Sequence, residues 1–141
     1  MQTFNNQVIE QVYVGFDGSA QAKQTLLEAA QLAKANQLPL NIITVIDARN
    51  YQHDYHQLVK GVQLADERLD KAAAEISGLE ITTQAVVADV KEVFQKLLND
   101  PRNLVLVSQS NQCENCPTHI GSLAKHLYST KQPNLQLVAT L

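Results

Sequence analysis

Three short runs of this chain are apolar at nearly every position: Gln11-Val12-Tyr13-Val14-Gly15-Phe16, Leu40-Asn41-Ile42-Ile43-Thr44-Val45-Ile46 and Leu104-Val105-Leu106-Val107. A strand with one face in water alternates apolar and polar residues. A strand that does not alternate is buried on both faces, the condition of a parallel sheet covered by helices. The segments between these runs have the helical period. From Ser19, a suitable N-cap, the apolar positions Ala22, Leu26, Ala29, Ala30 and Ala33 recur at helical spacing until Asn36 and Pro39 close the segment. Leu58, Val62, Ala65, Leu69, Ala72 and Ile76 form a second amphipathic stripe, with Gly78 as its C-cap signal.

Leu79–Val87 reads as a third strand, and Val90, Val93, Phe94, Leu97 and Leu98 as a third helix that stops at Asn99-Asp100-Pro101. After the strand 104–107 comes a polar loop from Ser108 to Pro117. A helix with Ile120, Leu123, Ala124 and Leu127 on one face follows, and Leu135–Val138 is the last strand. Strands alternating with amphipathic helices give an α/β class, and right-handed crossovers arrange it as a single doubly wound, parallel, five-stranded sheet with helices on both faces, a Rossmann-like three-layer sandwich. The first ordered segment is expected at Gln11. At 141 residues the chain matches one domain over residues 1–141.

Composition narrows the function. A net charge of −3, with the basic residues scattered, excludes binding to a nucleic-acid backbone as the main activity; 5% aromatic residues and no Trp leave no stacking platform for single strands. No apolar run reaches the roughly 18 residues that span a bilayer, and the polar start (Gln2, Asn5, Asn6, Gln7) has no signal-peptide pattern. The expected location is cytoplasmic, with no membrane partner. No Ser-His-Asp order with a nucleophile elbow, His-Glu-x-x-His or Walker loop is present, so no enzymatic mechanism is expected.

In a doubly wound sheet, ligands bind outside the carboxyl ends of the strands, near the switch in strand order. Three loops share that edge: Asp17-Gly18-Ser19, the stretch 47–57 with His53 and His56, and the loop 108–117. The first, Phe16-Asp17-Gly18-Ser19, resembles the Val-Asp-x-Ser turn of the universal stress protein family, and Thr44-Val45-Ile46-Asp47 is similar to the end of that family's second strand. Nucleotide-binding members carry Gly-x-x-Gly, nine residues, then Gly followed by Ser or Thr; the matching positions here are Ser108, Asn111, Gly121 and Ser122. The spacing is kept, and the first two glycines are replaced. Glycine at such positions lets backbone N–H groups approach phosphate closely and permits positive φ.

The resemblance implies a stress-response binding or regulatory protein that holds an adenine nucleotide, ATP or ADP with Mg²⁺. Asp17 and Val45, with the Gly18-Ser19 turn, would meet adenine or ribose, and Gly121 and Ser122 the phosphates. Ser108 and Asn111 would stand in for cradling glycines. It also implies a homodimer paired through Leu135–Val138. For Asp17, capping the first helix is the competing role. The loop also holds Cys113-Glu114-Asn115-Cys116-Pro117-Thr118-His119. Cys113, Cys116 and His119 make three of the four ligands of a tetrahedral metal site, with His53 or His56 as the fourth. Alternatively, Cys116 at a helix start is a reactive thiol that pairs reversibly with Cys113. As a third reading, both cysteines are incidental loop residues in a reducing compartment. A nucleotide-free regulatory dimer and a thiol- or metal-responsive sensor are therefore the alternatives to nucleotide binding.

Overall fold

The backbone runs in the computed structural model through β1 (Gln2–Phe4), β2 (Gln7–Ile9), β3 (Gln11–Gly15), α1 (Ala20–Ala35), β4 (Leu40–Ile46), a 3-10 turn (Ala48–Tyr51), α2 (Tyr55–Ala74), β5 (Ile81–Val87), α3 (Val90–Leu98), β6 (Asn103–Ser108) and β7 (Leu135–Val138). Residues 2–4, 7–51, 54–108, 127 and 132–138 are described. The main sheet has the order β5-β4-β3-β6-β7, and every pairing in it is parallel. The chain builds outward from β3 through β4 to β5, then crosses to β6 on the other side of β3. The switch in strand order therefore lies between β3 and β6.

Alternate residues of each central strand supply two separate cores. Val12 and Val14 of β3, Leu40 and Ile42 of β4, and Leu104 and Leu106 of β6 pack in one cluster with Ala22, Leu26 and Ala29 of α1 and Leu69 and Ala72 of α2. On the other face Val105 and Val107 pack with Phe94 and Leu98 of α3 and with Leu127, joined by the partly buried Tyr13, Val45, Leu135 and Leu137. Two-sided burial thus accounts for the unalternating runs, and the three-layer α/β architecture is the one expected. Phe94 comes so close to β3 that a Cβ at Gly15 would lie 2.8 Å from its Cζ.

Helices α1, α2 and α3 each start on a polar cap. Ser19 Oγ accepts from Ala22 N–H at 3.1 Å, Asp54 Oδ1 from Gln57 N–H at 3.1 Å, and Asp89 Oδ1 from Lys91 and Glu92 N–H at 2.9 and 3.1 Å. Ser19 therefore caps α1 as expected, and the carboxylate of Asp17 does not.

Several boundaries differ from the sequence reading. Ordered structure begins before Gln11, because β1 and β2 form an antiparallel pair outside the main sheet. The stretch 47–57 is not all loop: it holds the 3-10 turn and the first residues of α2, whose Tyr55 is exposed and so leaves no apolar mark. Helix α2 ends at Ala74 with Glu75 as its cap; Gly78, at φ +85°, serves the turn toward β5, which begins at Ile81 rather than Leu79. The helix expected around Ile120–Leu127 lies outside the described residues apart from Leu127, a helical and fully buried position.

Asn134, 1% exposed, locks the turn between α3 and β6 to the strand that follows it. Its Nδ2 donates to Asn103 O at 2.7 Å and to Leu98 O and Asp100 O, each at 3.2 Å, while its own carbonyl accepts from Val105 N–H at 2.9 Å. One amide therefore shares its two protons among three carbonyls, of which Asp100 O also accepts from Asn103 N–H at 3.0 Å. Asn134→Ala is expected to cost about 2 kcal/mol, the penalty for stranding buried acceptors, read as a lower urea midpoint at unchanged slope.

Candidate functional site

The turn after β3 is held by its own side chains and by β4. Phe16 N–H donates to Ile43 O at 2.9 Å, and the Thr44 hydroxyl donates to Phe16 O at 2.6 Å, so the register of the two strands continues past the end of β3. Gly15 is level with Ile43. The Thr44 bond carries that pairing to Phe16, one residue before Asp17 and beside the segment that ends in Val45 and Ile46. Asp17 Oδ1 accepts from Ser19 N–H at 2.9 Å, which bends the chain toward α1, and Gly18 completes the bend at φ +84°. Asp17 remains exposed. A braced, exposed carboxylate at the switch point is a ready acceptor for hydroxyl or amine donors.

Val45 is partly buried and packs with the cluster on the α3 side of the sheet. It offers an apolar wall near the carboxyl edge. Directly beyond it, a charged clamp closes the end of β4: the Arg49 guanidinium makes a two-pronged pair with Asp47 and reaches Asp89 Oδ2, the α3 cap, at 2.9 Å. Hydrogen bonding to Asp47, then the charges of Asp47 and Asp89, push the Arg49 pKa above its ordinary value. The clamp ties the 3-10 turn to the start of α3 and spends two of the carboxylates at this edge on an internal cation.

Ser108 is the last residue of β6 rather than the first of a loop, and it is 3% exposed. Its Oγ lies 2.7 Å from Thr25 Oγ1, and Thr25 Oγ1 lies 2.9 Å from Gln21 O. A hydroxyl has one proton to give. With Thr25 donating to the carbonyl, Ser108 must donate to Thr25. The Ser108 hydroxyl therefore points to α1 and is spent there.

Asp17, Gly18, Ser19, Val45 and Ser108 are thus gathered at the carboxyl edge around the switch point. Asn111, Gly121 and Ser122 lie outside the described residues, as do Cys113, Cys116, His119 and His53. His56 is exposed on the first turn of α2. Among the described residues no group of three His, Cys, Asp or Glu side chains could hold a metal ion, and no helix is long and apolar enough to cross a membrane.

The sequence reading missed the Arg49 clamp, although a local signal was present. Asp-x-Arg occurs three times, and the two copies outside helices, Asp47/Arg49 and Asp100/Arg102, fold the same way, whereas Asp66-Glu67-Arg68 lies within α2: in both, the first carboxylate oxygen accepts the arginine's backbone N–H and Nε while Nη2 reaches the second oxygen. At the second copy the hydrogen bonds to Arg102 hold the Asp100 carboxyl below the ordinary carboxylate range. The cationic side chains Lys23, Arg68 and Lys71, which line a groove between α1 and α2, were also unread.

Comparison with known proteins agrees with this fold. A protein of the universal stress protein family from Burkholderia pseudomallei is 21% identical, with a TM-score of 0.67, covering 91% of this chain and 95% of its own. A universal stress protein in complex with cAMP is 18% identical with a TM-score of 0.59, covering 94% and 97%. The universal stress protein from Archaeoglobus fulgidus in complex with dAMP is 13% identical with a TM-score of 0.62, covering 94% and 98%. At these identities the likeness shows a shared fold. No curated protein matches the chain. The family model for the universal stress proteins matches residues 9–113, and the chain belongs to the universal stress protein family.

Proposed function

We propose that this protein is a non-catalytic regulatory member of its family, a single cytoplasmic domain that acts in the stress response by binding an adenine nucleotide at the carboxyl edge of the sheet. The observation that carries this reading is the Asp17 turn: an exposed carboxylate, braced by Ser19 N–H at 2.9 Å, at the end of the strand that neighbours β4 and its apolar Val45. A carboxylate suits ribose hydroxyls, and an aliphatic wall suits the face of adenine. Two proteins of the same fold, named as complexes with cAMP and dAMP, support the ligand class.

The residues fit the nucleoside end better than the phosphate end, because the Ser108 hydroxyl is committed to Thr25. Phosphate binding falls to Asn111, Gly121 and Ser122. Mg²⁺, where ATP or ADP is the ligand, would be carried chiefly by the phosphates, as is usual for this ion. The homodimer proposed for this chain pairs β7 edge to edge. Among the described residues, β6 is the only strand that pairs with β7, and the β7 residues Leu135 and Leu137 are only partly buried. An unprotected apolar edge strand favours a partner strand.

A ligand that binds only the native state stabilises it by about 2.7 kcal/mol at a hundredfold excess over Kd. ATP with Mg²⁺, ADP or AMP is therefore expected to raise the melting temperature, and Asp17→Ala to abolish the rise. No rise with any of the three at millimolar concentration would overturn the ligand assignment. Ser108→Gly is expected to cost about 1 to 2 kcal/mol of stability, from the lost hydrogen bond and the freer unfolded backbone, and to tighten nucleotide binding in calorimetry. Leu137→Glu is expected to give a monomer in sedimentation velocity. A native circular dichroism spectrum with the dimer intact would remove β7 as the interface.

A further inference from the structure

The groove between the first half of α1 and the second half of α2 has a volume of about 580 Å³, within the range of small-molecule sites. It lies on the α1–α2 side of the sheet, whereas Val45 packs on the α3 side. The groove is therefore distinct from the nucleotide cleft, and the two share only the turn at Asp17-Gly18-Ser19.

Its lining divides by chemistry. Leu26, Leu27 and Ile76 supply an apolar strip, and Leu27 is 59% exposed although it sits beside buried core residues. Lys23, Arg68 and Lys71 supply three cations. Among the described residues none of these three has a carboxylate within 4.0 Å, although the chain carries a net negative charge. The groove's own acids are Asp17, whose Oδ1 is engaged by Ser19 N–H, and Glu75. Arg68 lies over the start of α1: a Cβ at Gly18 would meet its Cδ at 3.5 Å and its Nε and Nη1 at 3.8 Å. The guanidinium thus stands beside the positive end of the α1 dipole.

We propose that this groove is a second binding site, for a small organic anion with an aliphatic body, in the class of medium-chain carboxylates. Arg68 provides the planar fork that matches a carboxylate, Lys23 and Lys71 add charge, and the aliphatic body covers Leu26, Leu27 and Ile76. A bare inorganic anion leaves the apolar strip wet, and a neutral alcohol leaves the cations unpaired, so only the combined chemistry uses the whole lining.

The test is a two-dimensional amide NMR titration of the full chain with octanoate, in parallel with octanol and with inorganic phosphate. Saturable octanoate shifts are expected on residues 19–27 and 68–76, with octanol and phosphate weaker. The double variant Arg68→Glu, Lys71→Glu changes only exposed side chains and should weaken octanoate by about tenfold or more, the worth of a charge-assisted hydrogen bond. Leu27→Ala should weaken it several-fold while leaving phosphate unaffected. Absence of saturable shifts overturns the site. So does equal binding of octanol or phosphate, or octanoate binding unchanged in the folded double variant. The assay contains no nucleotide, so its failure leaves the adenine-nucleotide reading untouched.

Discussion

The Thr25 and Ser108 hydroxyls meet in the core at 2.7 Å and join α1, which leaves the end of β3, to the end of β6. These two elements flank the switch in strand order. Sliding α1 or opening β6 would leave a buried hydroxyl without a partner, at a cost of about 1 to 3 kcal/mol. The floor of the cleft is therefore fixed from below. The polar chemistry available to a ligand begins one step further out, at the Asp17 turn and in the loop that leaves β6. The hydrogen bond from Thr44 to the carbonyl of Phe16 does the same work on the other side of β3, and together the two bonds hold β3 in place between its neighbours.

The electrostatic layout follows from that frame. At the end of β4, Arg49 draws Asp47 and Asp89 into one exposed network. Exposed pairs of this kind add little to stability, so the clamp serves mainly to define where the 3-10 turn stands relative to α3. Asp17 is left as the carboxylate presented at the switch point, with its own turn as its support. On the opposite helical layer the three cations of the α1–α2 groove have no carboxylate within 4.0 Å among the described residues. A chain of net charge −3 thus places three cations side by side in the groove of one helix pair, apart from the Asp17 carboxylate at the strand edge.

Much of this architecture was legible because burial on two faces leaves a mark on every residue of a strand. Gln11–Phe16, Leu40–Ile46 and Leu104–Val107 could scarcely be anything else, and the α1 and α2 stripes fixed what lay between them. Short and exposed features left no such mark. Strands β1 and β2 have three residues each, too few for a period, and Tyr55 opens α2 at 72% exposure. At the site, the turn chemistry of Asp17 and Ser19 was readable from local sequence, but which of the two caps the helix depended on backbone direction. The burial of Ser108 and the reach of Arg49 to Asp89 depended on contacts across 83 and 40 residues, which no local pattern encodes.

The approach of Phe94 to Gly15 has a consequence for how relatives of this chain can vary. A ring from α3 occupies the volume that a side chain on β3 would need, with only 2.8 Å left for a methyl group. Well-packed interiors absorb little added volume, so the two positions form one filled space divided between two residues. In the lineage of this protein, a larger residue at position 15 should be accompanied by a smaller one at position 94. Tracking that exchange along a family tree would follow the tilt of α3 against the central strand, and with it the width of the cleft that Val45 borders.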